Sequence, residues 1–280
     1  MKKILITGAK GMLGQDLTEI LAQQDFIISF PTDIDTLDII DEKALTDYFD
    51  NNNFDMVIHA AAYTDVDGAE SNQDKAFLIN YKGTENLARQ TARINIPIVY
   101  ISTDYVFDGT KNFPYEPDDK PNPINIYGLS KLKGEEAIQK FNQKYYIART
   151  SWLYGHKGRN FVETIINLAK QKPELKIVND QTGCPTWTID LISGILSLID
   201  ENKPYGIYHI CGSGCTSWYG FALKIIEFMK LKTKILPIST KEFPRPAKRP
   251  EYSVMNNNQI CPNWEKSLFQ YIKKYKEGKV

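Results

Sequence analysis

Two side chains with complementary acid–base chemistry lie four positions apart in the segment Tyr127-Gly-Leu-Ser-Lys131. Residues at this spacing share a face of a helix, so we expect the phenol of Tyr127 and the ammonium of Lys131 to be neighbours. A nearby positive charge favours the phenolate and should lower the pKa of the phenol. Such a phenol can pass a proton to or from a carbonyl oxygen at neutral pH. The spacing therefore predicts that Tyr127 and Lys131 are catalytic residues of a carbonyl reduction.

A hydroxyl and a carboxylate come at the end of a strand-like run, in Ile101-Ser-Thr-Asp-Tyr-Val-Phe107. Ligands of doubly wound sheets lie at the carboxyl ends of the strands. We therefore expect Thr103 to be catalytic, with its hydroxyl orienting the same carbonyl as Tyr127. For Asp104 two roles stay open, a hydrogen bond to the substrate and the capping of a turn, because Asp suits both settings.

Three glycines, Gly8, Gly11 and Gly14, form a G-x-x-G-x-x-G pattern between a strand-like run and a helical one. A tight turn needs backbone angles that a Cβ disfavours. The following helix N-terminus offers free N–H groups to a pyrophosphate. The spacing differs from G-x-G-x-x-G and is typical of short-chain dehydrogenases. It predicts a dinucleotide site, the alternative being a glycine-rich turn without a ligand.

The choice between NADPH and NADH depends on two residues. NAD selectivity usually comes from an acid at the end of the second strand, which bonds the ribose 2′-hydroxyl. Here that position is Phe30-Pro31-Thr32, with Asp33 slightly beyond, while Lys10 in the glycine turn is suited to a 2′-phosphate. We expect NADPH, with NADH also accepted. Lys10 as an ordinary surface lysine stays open.

The scaffold for these residues follows from the alternation of apolar runs and helical segments. Strands are expected at 3–7, 26–30, 56–59, 98–102 and 145–150, and helices at 14–24, 42–51, 127–140 and in a long segment that ends near 95. Unbroken apolar runs indicate strands buried on both faces, as in a parallel sheet. The pattern predicts an α/β fold with a doubly wound, Rossmann-type parallel sheet.

The alternation of strands and helices becomes less regular after Thr150, which predicts two domains. Residues 1–150 are expected to form a dinucleotide-binding domain, and residues 151–280 mainly a smaller, discontinuous substrate-binding domain. Strands near 176–178 and 207–210 are expected to rejoin the sheet. Helices are expected at 160–171, 189–199, 217–229 and 264–275.

Composition narrows the function classes. The 34 basic and 34 acidic side chains give zero net charge, which argues against a nucleic-acid partner. The apolar run after the N-terminus is too short for a signal peptide and no run could span a membrane, so we expect a cytoplasmic protein with no membrane partner. The cysteines form no Cys-x-x-Cys pair and the histidines no ligand spacing, so we predict no metal site.

Longer segments carry a specific resemblance. The strings Ser102-Thr-Asp-Tyr-Val-Phe-Asp-Gly109 and Asn179-Asp-Gln-Thr-Gly-Cys-Pro-Thr186, together with the glycine turn and Tyr127-Gly-Leu-Ser-Lys131, resemble the dTDP-4-dehydrorhamnose reductases. These are extended short-chain dehydrogenases, and matching segments run along nearly the whole chain. The resemblance implies reduction of the C4 ketone of dTDP-4-dehydro-L-rhamnose to dTDP-L-rhamnose.

The resemblance also implies contacts residue by residue. Sugar-nucleotide contacts are implied at Thr103, Asp104 and Trp152. Members often carry Gln where Met12 stands, and a backbone contact would survive that change. Some members bind magnesium at a dimer interface, but no acids here match those ligands, so magnesium and a homodimer stay open. Cofactor contacts are implied at Gly11, Met12, Leu13, Asp38, Ile39, Ala62, Tyr63, Thr64, Tyr127 and Lys131, and the turn pattern adds Gly8 and Gly14.

A diphosphate needs cations, although the chain as a whole is neutral. Asn160 and the basic loop with Arg245, Lys248 and Arg249 are candidates for a clamp that binds it through charge-assisted hydrogen bonds. A solvated surface loop is the alternative. Two other functions stay open: a nucleotide-sugar 4-epimerase, which shows no net use of NADPH, and a non-catalytic subunit similar to the regulatory subunit of methionine adenosyltransferase.

Overall fold

The structure is a computed structural model that describes residues 1–278. No helix in that range is long and apolar enough to cross a membrane. The strands are β1 (Lys2–Thr7), β2 (Ile27–Thr32), β3 (Met56–His59), β4 (Ile98–Thr103), β5 (Tyr145–Thr150), β6 (Leu153–Tyr154), β7 (Glu174–Val178), β8 (Thr182–Gly183), β9 (Thr186–Trp187), β10 (Gly206–His209), β11 (Thr216–Ser217) and β12 (Lys234–Ile238). The helices are α1 (Met12–Ala22), α2 (Glu42–Asn51), α3 (Val66–Ser71), α4 (Gln73–Phe77), α5 (Thr84–Arg93), α6 (Ile126–Phe141), α7 (Phe161–Gln171), α8 (Thr188–Asp200), α9 (Trp218–Met229) and α10 (Trp264–Lys276).

Six parallel strands form the main sheet in the order β10-β5-β4-β3-β1-β2. The chain begins in the middle of the sheet, continues to one edge with β2 and then returns to the other side of β1 with β3. The point between β1 and β3 is therefore a topological switch point, where ligands of such sheets bind. The predicted doubly wound α/β fold is confirmed.

Helices cover both faces of this sheet. Successive side chains of a strand point to opposite faces, so Ile4 and Ile6 pack with α1 and α8 while Leu5 packs with α2, α5 and α6. Full burial of each such side chain stabilises the fold by about 1.5–3 kcal/mol. The strands that position the site are therefore packed against helices on both faces of the sheet.

The chain after Thr150 builds a second unit and returns once to the main sheet. β10 joins the sheet beside β5, as predicted for residues 207–210. The prediction that residues 176–178 rejoin the sheet is wrong, because β7 pairs with β12 in a separate two-stranded sheet. β12 escaped prediction because it is short and contains Pro237, which lacks the N–H of a ladder donor. Residues 279 and 280, the end of the predicted second domain, lie outside the described residues.

The long helix predicted to end near residue 95 is divided. It consists of α3, α4, a π-helical segment at Leu78–Gly83, and α5. Asn72 leaves helical geometry between α3 and α4, with its side chain bonded to the carbonyl of Gly68 at 2.9 Å. π segments occur often at functional sites. Here Asn80 of the π segment binds both the N–H and the C=O of Tyr63, in the loop after β3.

Candidate active site

A cleft of about 930 Å³ opens at the carboxyl ends of β1, β3, β4 and β5. This volume lies at the upper end of the range for small-molecule sites. The cleft brings together predicted residues from distant parts of the chain. Those that line it are Gly8, Gly11, Met12, Leu13, Gly14, Asp38, Ile39, Ala62, Thr64, Thr103, Asp104, Tyr127, Lys131 and Trp152.

The glycine turn forms one end of the cleft and leaves no room for side chains. Gly8 has φ +72°, and a Cβ on it would lie 2.5 Å from the backbone nitrogen of Ala61. A Cβ on Gly14 would lie 2.1 Å from the carbonyl oxygen of Gly8. The following helix α1 has no side-chain cap and no acid in its first turn. Its first N–H groups are therefore available to an anion, which fits the pyrophosphate of a dinucleotide.

Tyr127 lies in the first turn of α6, beside the end of β4. The N-cap of this helix is Asn125, whose side chain accepts a hydrogen bond from the N–H of Gly128 at 2.7 Å. The pKa of Tyr127 is raised to about 12, and burial is the largest cause. The hydrogen bond with Thr103 lowers this pKa, and the Asp104 carboxylate raises it. The expected lowering of this pKa by an ammonium is not found, because burial outweighs the other effects. The phenol therefore keeps its proton at neutral pH, which is the state required of an acid.

Lys131 lies one helical turn beyond Tyr127, on the same face, as the spacing predicted. Its side chain is 2% exposed, and Nζ lies 4.1 Å from the centroid of the Tyr100 ring. Burial lowers the pKa of Lys131 to about 7, while the Glu135 carboxylate raises it. The electron-rich face of the tyrosine ring also favours the ammonium form.

Asp104 follows Thr103 directly and is buried beside the cleft. Oδ1 accepts a hydrogen bond from the Thr103 hydroxyl at 3.1 Å, and Oδ2 has no partner of ordinary length among the described residues. Burial raises the pKa of Asp104 to about 7, against the opposing hydrogen bonds from Ser253 and Thr103. A buried oxygen without a partner is costly and is the kind of group that a bound ligand satisfies.

The same end of the cleft as the glycine turn carries charges that neutralise one another. Lys10 donates to Asp35 at 2.5 Å, and both side chains are more than half exposed. The Asp33 carboxylate accepts from the backbone N–H groups of Lys10 at 2.8 Å and Ile34 at 2.9 Å. Asp33 immediately follows β2, the position where an acid meets a ribose 2′-hydroxyl. This end therefore contains the features of both predicted cofactor preferences.

A pair of indole rings borders the cleft on the side of the second unit. Trp152 stacks on Trp218, with ring centroids 3.5 Å apart and planes 5° apart. Trp152 has φ +46°, which is rare for a residue with a Cβ. Phe161 and Gly183 pack against the same pair. The flat aromatic surface suits a flat or amphipathic ligand.

The fold and the cleft agree with comparisons to known proteins. The family model described as "RmlD substrate binding domain" matches residues 1–277. A crystal structure of a dTDP-4-dehydrorhamnose reductase from Clostridium acetobutylicum is 44% identical, covers 98% of this chain and 99% of its own, and superposes with a TM-score of 0.95. The chain belongs to the dTDP-4-dehydrorhamnose reductase family.

Two further proteins are similar to this chain over nearly its whole length. A dTDP-4-dehydrorhamnose reductase from Bacillus anthracis, solved in complex with NADP, is 40% identical, covers 98% of this chain and 100% of its own, and has a TM-score of 0.93. The spore coat polysaccharide biosynthesis protein SpsK of Bacillus subtilis is 41% identical and covers 97% of both chains.

Tyr63 and Asn160, which were expected to bind ligands, lie outside the lining of the cleft. The backbone of Tyr63 is bonded to Asn80. Asn160 is the N-cap of α7: its Oδ1 accepts from the N–H of Glu163 at 3.0 Å and its Nδ2 donates to the carbonyl of Gly155 at 2.7 Å. Both ends of the Asn160 amide are therefore engaged within the fold.

Arg249 is also engaged within the fold. Its guanidinium donates to Asp67 Oδ1 at 2.5 Å, and Arg245 binds Oδ2 of the same carboxylate at 2.6 Å. The hydrogen bond from Arg249 is the largest cause that lowers the pKa of Asp67, to about 2. The basic loop is thus tied to α3, and Arg249 is not among the residues that line the cleft.

Arg159 and Trp218 line the cleft but were not predicted as site residues. Arg159 is exposed and makes no ion pair or hydrogen bond within the described range, whereas Lys10 is paired and Lys131 is buried. Its neighbour Gly158 adjoins the glycine turn, since a Cβ there would lie 3.7 Å from the Cβ of Met12. No local sequence pattern marks either residue, because both reach the cleft only through the packing of the second unit.

Residues 1–278 contain no group of three His, Cys, Asp or Glu side chains that could hold a metal ion.

Proposed function

We propose that this protein catalyses the NADPH-dependent reduction of the C4 ketone of dTDP-4-dehydro-L-rhamnose to dTDP-L-rhamnose. The observation that carries the proposal is the meeting of Tyr127, Thr103 and Lys131 with the glycine turn in a single cleft. Acid, hydroxyl, cation and pyrophosphate site are the parts that a nicotinamide-dependent ketone reduction requires. Relatives titled dTDP-4-dehydrorhamnose reductase support the choice of substrate.

Tyr127 supplies the proton. The ketone oxygen becomes an alcohol oxygen, so it needs one proton from the protein as carbon C4 gains a hydride. The pKa of about 12 keeps the Tyr127 phenol protonated until the oxygen becomes basic enough to take the proton. Thr103, hydrogen-bonded to Tyr127, orients the same oxygen.

Lys131 supplies positive charge at the protonation site. Its ammonium compensates the negative charge that develops on the phenol oxygen of Tyr127 as the proton leaves. We also assign to Lys131 a hydrogen bond to the ribose beside the nicotinamide, because it lines the same cleft as the glycine turn. The bound cofactor supplies the hydride.

The cofactor fits the residues at the glycine turn and after β2 and β3. The free N–H groups of α1 suit its pyrophosphate, and the NADP complex of the Bacillus anthracis relative supports NADPH. Asp33 favours a 2′-hydroxyl, so we expect NADH to be accepted as well. The proposed cofactor contacts are Gly8, Gly11, Met12, Leu13, Gly14, Asp38, Ile39, Ala62, Tyr63, Thr64, Tyr127 and Lys131.

On the sugar-nucleotide side we assign contacts to Thr103, Asp104 and Trp152. The unsatisfied Oδ2 of Asp104 is available to a sugar hydroxyl, and the indole of Trp152 offers a flat apolar surface. For the diphosphate groups, Arg159 is better placed than Arg249, whose charge is already met by Asp67. Arginine binds phosphate oxygens through two parallel N–H bonds.

The test is a stoichiometric assay on the purified protein. NADPH oxidation is followed by the loss of the absorbance of the reduced nicotinamide, with dTDP-4-dehydro-L-rhamnose and, separately, with its UDP analogue. One NADPH should be consumed for each dTDP-L-rhamnose formed, with the dTDP substrate preferred. Sugar interconversion without net NADPH use would indicate an epimerase, and tight cofactor binding without turnover would indicate a regulatory subunit. Either result would overturn the proposal.

A further inference from the structure

A buried ion pair lies directly behind the proposed catalytic residues. Glu135 and Arg149 are each 1% exposed. Arg149 donates Nε to Glu135 Oε1 at 3.0 Å and a terminal nitrogen to Oε2 at 2.7 Å. The hydroxyl of Ser102 donates to Oε1 at 2.5 Å, and the remaining terminal nitrogen of Arg149 donates to the carbonyl of Pro117 at 3.2 Å. Glu135 therefore accepts three charge-assisted or hydroxyl hydrogen bonds in a dry environment.

The position of this network relates it to the reaction. Glu135 lies one turn beyond Lys131 on α6, and Lys131 lies one turn beyond Tyr127. Ser102 precedes Thr103 on β4, and Arg149 is on the neighbouring strand β5, where it is the register partner of Ser102. The network therefore joins the helix that carries the acid to the strand that carries the orienting hydroxyl.

The network also bears on the charge of Lys131, whose surroundings are otherwise poor in negative charge. Burial lowers the pKa of His59 to about 3 and raises that of Tyr100 well above its usual value, so both are neutral near pH 7. The pKa of Asp104 is raised by burial to about 7, so this acid is only partly ionised there. The titratable and charged groups around Lys131 are Tyr127 and Glu135 on α6, Tyr100 on β4, Asp104 after it, His59 on β3 and Arg149 on β5.

We propose that Glu135 is a positioning residue for the reduction: its carboxylate, fixed by Arg149 and Ser102, keeps the ammonium of Lys131 charged inside the fold and holds α6 against β4. A pair of buried ions is a weak source of stability, because desolvation offsets their attraction. This pair is therefore better explained by the charge it holds next to Lys131 than by stability alone. The inference rests on the proposed function, in which Lys131 acts as a cation.

The test compares Glu135→Gln with Glu135→Asp and with Glu85→Gln as a matched control. Glu85 is also mostly buried and pairs with an arginine four residues on, Arg89, at 2.6 Å on the separate helix α5. For each variant, kcat and kcat/KM are measured across pH, NADPH Kd is measured by fluorescence across the same range, and Tm is recorded.

Glu135→Gln keeps the shape of the side chain but removes its charge, so Lys131 should lose its proton at lower pH. We expect the alkaline limb of kcat and the weakening of NADPH binding both to move down by about one pH unit. Glu135→Asp should return the alkaline limb of kcat to its wild-type position, and Glu85→Gln should leave that position unchanged. A Glu135→Gln enzyme with a lowered Tm but the wild-type limb and wild-type kcat would show that the network is merely structural, and the proposal would be overturned.

Two further measurements cover the cases in which Glu135→Gln does not fold or the wild type does not reduce the sugar nucleotide. If Glu135→Gln does not fold, the double variant Glu135→Gln/Arg149→Met removes both buried charges, a change that proteins often tolerate. It should also move the alkaline limb downward, by less than Glu135→Gln because the opposing positive charge of Arg149 is removed as well, and an unchanged limb there overturns the proposal. If the wild type does not reduce the sugar nucleotide, the proposed function fails, whereas the pH dependence of NADPH Kd in the same variants still supports or refutes the role of Glu135.

Discussion

Replacing Tyr127 with phenylalanine tests the proposed proton transfer most directly, because it removes one oxygen and leaves the ring in place. With a pKa of about 12, the phenol is ionised in only about one molecule in 10⁵ at neutral pH, so the wild type has its acid ready in every turnover. A positioned general acid contributes about 10²–10⁴-fold to the rate. We therefore expect kcat to fall at least about a hundredfold, which corresponds to about 2.7 kcal/mol of transition-state stabilisation.

The assay must exclude a substitute acid. Asp104 lies beside Thr103, and burial raises its pKa to about 7, so it carries a proton in part of the molecules at neutral pH. Tyr127→Phe and the wild type should therefore both be measured up to about pH 8.5, where Asp104 is ionised. The rate of the variant relative to the wild type should fall further there, because the titration of Lys131 affects both enzymes. Tyr115→Phe is the matched control, since the Tyr115 hydroxyl bonds Asp108 at 2.8 Å outside the cleft. NADPH Kd should be unchanged in Tyr115→Phe, and in Tyr127→Phe it should change far less than kcat. A Tyr127→Phe enzyme within about fivefold of the wild-type kcat at the higher pH would refute the assignment of the acid.

Three further substitutions test the cofactor and diphosphate sites. Gly14→Ala should abolish NADPH binding in a titration, because the new Cβ would lie 2.1 Å from a carbonyl oxygen of the turn, whereas Gly206→Ala, with no atom within 4 Å, should bind normally. Asp35→Asn frees Lys10 from an exposed ion pair and should shift the NADPH-to-NADH ratio of Kd values toward NADPH by about threefold, an amount typical of such pairs; an unchanged ratio would remove Lys10 from the 2′-phosphate site. Arg159→Ala should weaken the binding of a diphosphate ligand about tenfold. Separate titrations of NADPH and dTDP show which of the two diphosphates Arg159 binds. No change in either Kd would mean that Arg159 is a solvated surface residue.

The features that the sequence predicted depend on local geometry. The helical face shared by Tyr127 and Lys131 follows from a spacing of four residues, and the turn at Gly8 and Gly14 follows from backbone angles and close approach. Apolar runs located the five strands from β1 to β5 because strands buried on both faces need such runs. These predictions use neighbours within one or two elements, for which spacing alone is informative.

The errors arise where burial or a distant partner decides the outcome. The pKa of Tyr127 was expected to fall beside an ammonium, but burial, which is a property of the whole fold, raises it. β7 was assigned to the main sheet although its partner β12 lies more than fifty residues later. The long helix before residue 95 is interrupted at Asn72, whose side chain bonds the carbonyl of Gly68, and a helical pattern does not report such local competition.

The charges around the cleft show why a cation in the sequence is a weak guide to an anion site. The chain has equal numbers of acidic and basic side chains, so a given arginine often has an acid available within the fold. Arg249 meets Asp67 across 182 positions of sequence, a pairing that no local pattern reveals. A cation already paired in the fold must give up that partner before it can bind a phosphate, which reduces the gain in affinity. Arg159 has no such partner among the described residues and lies on the lining of the cleft, so its full charge is available to a diphosphate.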